Sequence, residues 1–177
     1  MEKEAIESKV STLLTQYGYS FEHDTAVNIV DFVRKLGFIV GNAELPDNED
    51  GFLAIQPQDS GKNVDVVTRK IIGVNVNRPL DLKRFIIAHE FAHWVLHYQD
   101  GQVFLHRENK KGKNSEENDA DYFAAALLMP KASFDREYSQ LKVQNLSKSV
   151  ICAQLALTFK TPLESVSRRI DEIEAIA

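Results

Sequence analysis

An α+β fold, in which a small and mostly antiparallel sheet packs against helices, is predicted by three observations along the chain. Apolar residues recur at helical spacing up to about Leu36. From Phe38 to about Asn77 the pattern changes to short β-prone runs set between turn-forming segments. Beyond Pro79 helical spacing returns and persists to the end of the sequence.

The elements follow in order. Ile6, Val10, Leu13, Leu14 and Tyr17 form an amphipathic stripe that predicts a first helix over Lys3 to Tyr17. A second helix is expected from Asp24 as N-cap to Leu36, with Gly37 at C′ and Ala26, Ile29, Val30, Val33 and Leu36 facing inward. Phe38-Ile39-Val40, Phe52-Leu53-Ala54-Ile55 and Ile71 to Val76 read as strands. Between them lie Pro46 to Gly51 and Asp59 to Asn63, both rich in turn residues. Val64 to Thr68 adds a fourth strand or lengthens the third. Alternation of Asn75 and Asn77 with Val74 and Val76 gives the Ile71 to Asn77 strand one solvated face. That strand is mainly core, and secondarily a platform on which an extended peptide could pair.

A third helix starts near Asp81, after Pro79, and is apolar on both sides of His89: Phe85-Ile86-Ile87-Ala88 precede it and Trp94-Val95-Leu96 follow. The segment Asp100 to Asn114 is a connection. Val103-Phe104-Leu105 is apolar, and the basic, glycine-containing remainder reads as a solvated loop or, alternatively, a flap over a cleft. A fourth helix is expected from Ser115 as N-cap to Pro130, acidic in its first turn, with Phe123, Ala124, Leu127 and Leu128 inward. Three more helices follow. One carries Phe134, Tyr138 and Leu141. Another spans Ser149 to Phe159 with Val150, Leu155 and Leu157 inside. The last opens on a Thr161-Pro162-Leu163-Glu164 capping box and buries Val166, Ile170 and Ile173. The expected organisation is a core over residues 1–130 with a helical extension over 131–177 packed on it.

Composition narrows the function classes. At 177 residues, 44% apolar and 27% charged, the chain suits one globular domain with a proper core. A net charge of −5 gives no basic footprint for nucleic acid. Cys152 is the single cysteine, which excludes an internal disulfide, and its apolar neighbours Val150, Ile151 and Leu155 make it a buried thiol rather than a nucleophile. No apolar run is long enough to span a bilayer, and Met1-Glu2-Lys3-Glu4 opens no signal peptide. A reduced, cytoplasmic setting is therefore expected.

The chemistry is concentrated at His89-Glu90-Phe91-Ala92-His93, an H-E-x-x-H sequence inside the apolar helix. Residues at i and i+4 stand one above the other on a helix face, so the two imidazoles can meet one metal ion. Glu90, about 100° round the helix, is placed to act as general base on a water at that ion. On the following helix Glu117 and Asp121 are four apart and border its buried face. Glu117 can complete a His-His-Glu zinc site, and Asp121 can hold the outer nitrogen of a ligating histidine. His97, four residues beyond His93, drifts about 80° off the line from His89 and is assigned an outer, packing role. His106 and Tyr122 are candidates for stabilising an oxyanion, with nothing in the sequence to aim them. His23 reads as surface and Trp94 as core.

H-E-x-x-H followed by E-x-x-A-D resembles the gluzincin pattern of thermolysin-like peptidases. The longer strings, His89 to His97 and then Glu117 to Pro130, resemble the ImmA/IrrE family of small intracellular metallopeptidases over about residues 70–130. The resemblance implies a zincin-like core with Zn²⁺ held by His89, His93 and Glu117, and Glu90 as general base. The E-x-x-A-D register selects Glu117 over neighbouring Glu116, and Ala92 stands where the family often has glycine. It further implies a regulatory role: cleavage or antagonism of a helix-turn-helix repressor or antitoxin-like protein, on mobile elements or in stress responses and transcription regulation. A His₂-carboxylate site also suits manganese or iron. Two other functions stand beside the peptidase. One is a non-enzymatic regulator that binds a repressor or antitoxin. The other is a DNA-binding factor using the last two helices, where Lys160, Arg168 and Arg169 are opposed by Glu164, Asp171, Glu172 and Glu174.

Overall fold

The computed structural model describes residues 1–58, 67–99, 103–109 and 114–175. Within them are seven helices and a four-stranded sheet, and the chain forms two compact units, residues 29–121 and residues 1–28 with 122–177.

The unit over residues 29–121 contains the sheet. Its strands are β1 (Phe38–Ala43), β2 (Glu49–Gln58), β3 (Val67–Asn75) and β4 (Phe104–Asn109), in the order β1-β3-β2-β4. β2 pairs antiparallel with both β3 and β4, while β1 runs parallel to β3. The sheet is therefore mixed, with two antiparallel ladders and one parallel. Leu53, Ile55, Ile72 and Val74 supply the buried side chains of the two central strands, at the two-residue period of a strand. α2 (Ile29–Lys35) precedes β1, and Gly37, at a φ of +85°, makes the left-handed turn between them. α3 (Leu80–His97) lies on β2 and β3, and every residue from Ile86 to His93 is buried. A stretch of helix buried all round must be apolar all round, and Ile86 to His93 is so except for His89, Glu90 and His93. Phe91 meets Phe32 and Phe38 edge to face, and Trp94 meets Phe38, with centroids 5.3–5.6 Å apart. Lys70 donates to the Leu36 carbonyl at 2.8 Å and sits over the Trp94 and Phe38 rings.

The approach of α3 to the sheet depends on Gly51. A Cβ there would overlap Ile86 Cγ2 and stand 3.0 Å from the Gly73 carbonyl oxygen and 3.6 Å from Glu90 Oε1. Glycine on β2 thus lets the motif helix settle against the strand.

Several expectations are corrected. The second helix begins at Ile29, not after Asp24. The Asp24 carboxylate instead accepts from the Ser20 amide at 2.8 Å and closes a turn, which uses the side chain that capping would need. Asn75 is fully buried rather than solvated. Its amide nitrogen faces the carbonyls of Glu49, Pro46 and Leu45 at 2.8, 3.2 and 3.3 Å, and its Oδ1 accepts from the Asn77 amide. The fourth strand comes from Phe104–Asn109, inside the segment read as a loop. Val67 and Thr68 belong to β3, and the remainder of that expected strand, Val64 to Val66, lies outside the described residues, as do Lys110 to Lys113 of the expected flap.

α4 (Ser115–Leu128) runs across the boundary of the units. Asn114, not Ser115, caps it: Asn114 Oδ1 accepts from the Glu117 amide at 2.9 Å. The other unit holds α1 (Lys3–Tyr17), α5 (Lys131–Lys142), α6 (Lys148–Phe159) and α7 (Leu163–Glu174). On α6 the inward residues are Ile151, Cys152, Leu155 and Phe159, while Val150 and Leu157 are exposed. Once Leu155 is inside, the four-residue period carries Ile151 and Phe159 inward, and Leu157, about 200° away, must face out. Thr161 does not cap α7. Its hydroxyl turns to Met129 Sδ at 3.6 Å. Arg169 is buried, donates to the Met129 carbonyl at 3.2 Å and pairs with Glu7 at 2.6 Å.

Candidate metal centre

α3 carries His89, Glu90 and His93, which are 0–2% exposed, and α4 carries Glu117 and Asp121. All five lie in the unit over residues 29–121. The helical rise brings His89 Nε2 and His93 Nε2 within 3.1 Å of each other. Glu117 Oε2 is 3.1 Å from His89 Nε2, and its Oε1 is 3.5 Å from His93 Nε2. Donor atoms of these three residues all lie within 4.8 Å of one another.

This donor set suits a divalent ion. Tetrahedral zinc with bonds of about 2.0–2.1 Å separates its ligand atoms by roughly 3.3 Å. The tautomers agree. His89 Nδ1–H donates to Asp121 Oδ1 at 3.0 Å, so in the neutral ring Nε2 presents a lone pair to the triangle. Burial pushes His93 below the usual imidazole value, against the opposing Glu117 hydrogen bond, and favours the neutral form that ligates. The imidazoles around it, His106 first and then His89 and His93, hold Glu117 far below the ordinary carboxylate range. Two lone pairs and a carboxylate converging in a buried place form a donor set that a cation completes.

Glu90 stands beside this set, wholly buried, with Oε1 lacking a hydrogen-bond partner among the described residues and Oε2 accepting from His106 Nδ1–H at 3.1 Å. His106 reaches the site from β4, and its Nε2–H donates to Glu117 Oε1 at 3.0 Å. Its ring stacks on that of His93, with centroids 3.6 Å apart. Burial opposes charge on His106, but the two carboxylates on either side outweigh it and raise its pKa to about 9. Sequence reasoning could not aim this side chain, because its position depends on a strand hidden in a polar segment.

His97 lies next to His93, with ring centroids 5.2 Å apart, and its Nε2 is buried without a hydrogen-bond partner. The hydroxyl of Tyr122 donates to Glu7 Oε1 at 2.9 Å, and so does not reach this donor set. β3, considered as a peptide platform, is flanked by β1 and β2 and has no free edge, whereas β4 is the edge strand of the described sheet. Of the basic residues of the last two helices, Arg169 is 1% exposed and paired with Glu7, and Arg168 pairs with Glu164 on its own helix.

An H-E-x-x-H helix laid on a small sheet, with a glutamate brought in from the next helix, defines the metallopeptidase class. The chain belongs to the peptidase family described as the IrrE N-terminal-like domain (Peptidase M78), whose model matches residues 37–171. Among solved structures it is similar to a Mycobacterium tuberculosis transcriptional regulator, at 17% identity and a TM-score of 0.57. That similarity covers 93% of this chain but 46% of the regulator, so the chain spans about half the length of that protein. No curated protein matches the sequence closely enough to count as a relative.

Proposed function

We propose that this chain is a zinc-dependent endopeptidase acting on a regulatory protein. The observation that supports it most is the convergence of His89 Nε2 and His93 Nε2, 3.1 Å apart, with a Glu117 carboxylate that sets one oxygen 3.1 Å from the first and the other 3.5 Å from the second, beside a buried Glu90 whose Oε1 has no hydrogen-bond partner among the described residues. His89, His93 and Glu117 would hold the metal, and Asp121 would fix the tautomer of His89. A zinc ion there supplies Lewis acidity, polarising a peptide carbonyl and acidifying water. Glu90 would accept a proton at a carboxylate oxygen and return it to the leaving amine. The buried surroundings of Glu90 keep bulk water from competing for that proton. An extended substrate would pair along β4, the edge strand of the described sheet, which carries His106 into the site.

Membership of the family supports a peptide substrate, and a helix-turn-helix repressor or antitoxin-like protein is the substrate class we propose. The test is Glu90→Gln. It should keep the metal and the fold while cleavage falls by about 10²–10⁴-fold, the usual contribution of a general base. Unchanged cleavage would remove Glu90 from the reaction.

A second reading, a regulator that binds its partner without hydrolysis, is favoured by the name of the M. tuberculosis structure. Repressor release that survives Glu90→Gln would select it. The DNA-binding reading is weakened by Arg169, which is too buried to meet a phosphate.

A further inference from the structure

Metal ligation and general-base action leave His106 without a role, yet it touches both the Glu90 and the Glu117 carboxylates. It is the only hydrogen-bond partner of the Glu90 carboxylate among the described residues, through Nδ1 to Oε2 at 3.1 Å. Its other nitrogen reaches Glu117 Oε1 at 3.0 Å, and its ring covers that of His93 at a 24° tilt. Glu90 is 0% exposed, so loss of this contact cannot be made good by bulk water and leaves a buried carboxylate without any donor. Glu117 offers one oxygen to His89 and the other to His93 and His106, so His106 also sets the rotation of that carboxylate.

We propose that His106 is a positioning residue, a strap from β4 that holds the base Glu90 and the ligand Glu117 in register across the two helices. The proposal rests on the metal-centre reading above. His106 is not a fourth ligand. A metal lies in the plane of each imidazole that binds it, and two nearly parallel rings stacked 3.6 Å apart do not share an ion at bonding distance. It also lies outside the set of donor atoms that come within 4.8 Å of one another. Outer groups that orient metal ligands commonly change affinity by about 10–100-fold when removed.

The test needs no substrate. Zinc affinity is measured by competition with a chelator for wild type, His106→Ala, His106→Gln and His106→Phe, and the visible absorption of each cobalt(II)-loaded protein is recorded. The phenylalanine keeps the stack on His93 but donates nothing, whereas glutamine can still donate to a carboxylate. We expect one metal per chain throughout, with binding weakened about tenfold or more in the alanine and phenylalanine variants. Their cobalt bands should shift as Glu117 rotates, and glutamine should recover part of both effects. Should the alanine variant fail to fold, the comparison of glutamine with phenylalanine decides. Affinities within twofold of wild type with unchanged bands would overturn the proposal, as would glutamine binding no better than phenylalanine. Complete loss of metal in His106→Phe would make His106 a ligand and overturn it too. Absence of metal from the wild type is a different result, and it would remove the metal-centre reading itself.

Discussion

Asp121 lies outside the His89, His93 and Glu117 donor set and reaches it through a hydrogen bond to His89. Its carboxylate holds His89 Nδ1–H at 3.0 Å, which leaves Nε2 as the lone pair. Asp121→Ala should therefore weaken zinc binding by about 10–100-fold while one metal per chain still binds at saturation, as chelator competition would report. Unchanged affinity would mean that His89 needs no partner to hold its tautomer. At this scale the sequence was most legible for His89, Glu90 and His93, because covalent spacing on a helix determines their geometry directly. Glu117 and Asp121 were legible because four-residue spacing aligned them on a second helix. His106 was not, since only the pairing of Leu53 with His106 across β2 and β4 delivers it.

Gly51 makes the corresponding case for an element. A methyl group at that position would overlap Ile86 and press toward Glu90, so α3 could not keep its present distance from β2. Gly51→Ala should cost about 1–3 kcal/mol of stability, the usual range for overpacking, measured by denaturant unfolding. An unchanged midpoint would show that α3 can move freely on the sheet. Helices with clear apolar stripes, such as Ile6, Val10 and Leu14 on α1, were read from their period alone. Elements whose ends depend on local polar competition were misplaced. Asp24 turned its carboxylate to the Ser20 amide and the second helix starts only at Ile29, whereas Thr161 turned its hydroxyl to Met129 and caps nothing although α7 does begin beside it, at Leu163. β4 escaped notice because an edge strand half in water carries polar residues and lacks a continuous apolar run.

At the scale of the whole molecule, the ion pair of Arg169 lies in one compact unit and the proposed metal centre in the other. In the unit over residues 1–28 and 122–177, Glu7 receives both Arg169 Nη1 and the Tyr122 hydroxyl, and burial together with Glu7 raises that phenol to about 12. Glu7→Ala removes the shortest ion pair of the buried Arg169 guanidinium and leaves it the Met129 carbonyl and, at 3.9 Å, Glu172. The expected cost is about 1–3 kcal/mol in thermal or denaturant unfolding, the range for a buried donor that loses a partner. Because every residue of the proposed centre lies within 29–121, the folded variant should still take up metal with wild-type stoichiometry. Loss of metal in a folded Glu7→Ala protein would show that the centre depends on the other unit. Excess zinc should in turn raise the melting temperature of the wild type, by linkage worth about 2.7 kcal/mol at a hundredfold excess over the dissociation constant.

The proposed metal centre of His89, His93 and Glu117 is tested by elemental analysis of the purified wild type beside His93→Ala and Glu117→Ala. About one zinc per chain is expected in the wild type, following three protein ligands with one open position, and its loss from both variants. A wild type that holds no metal even after zinc is supplied, or variants that hold as much as the wild type, would contradict it.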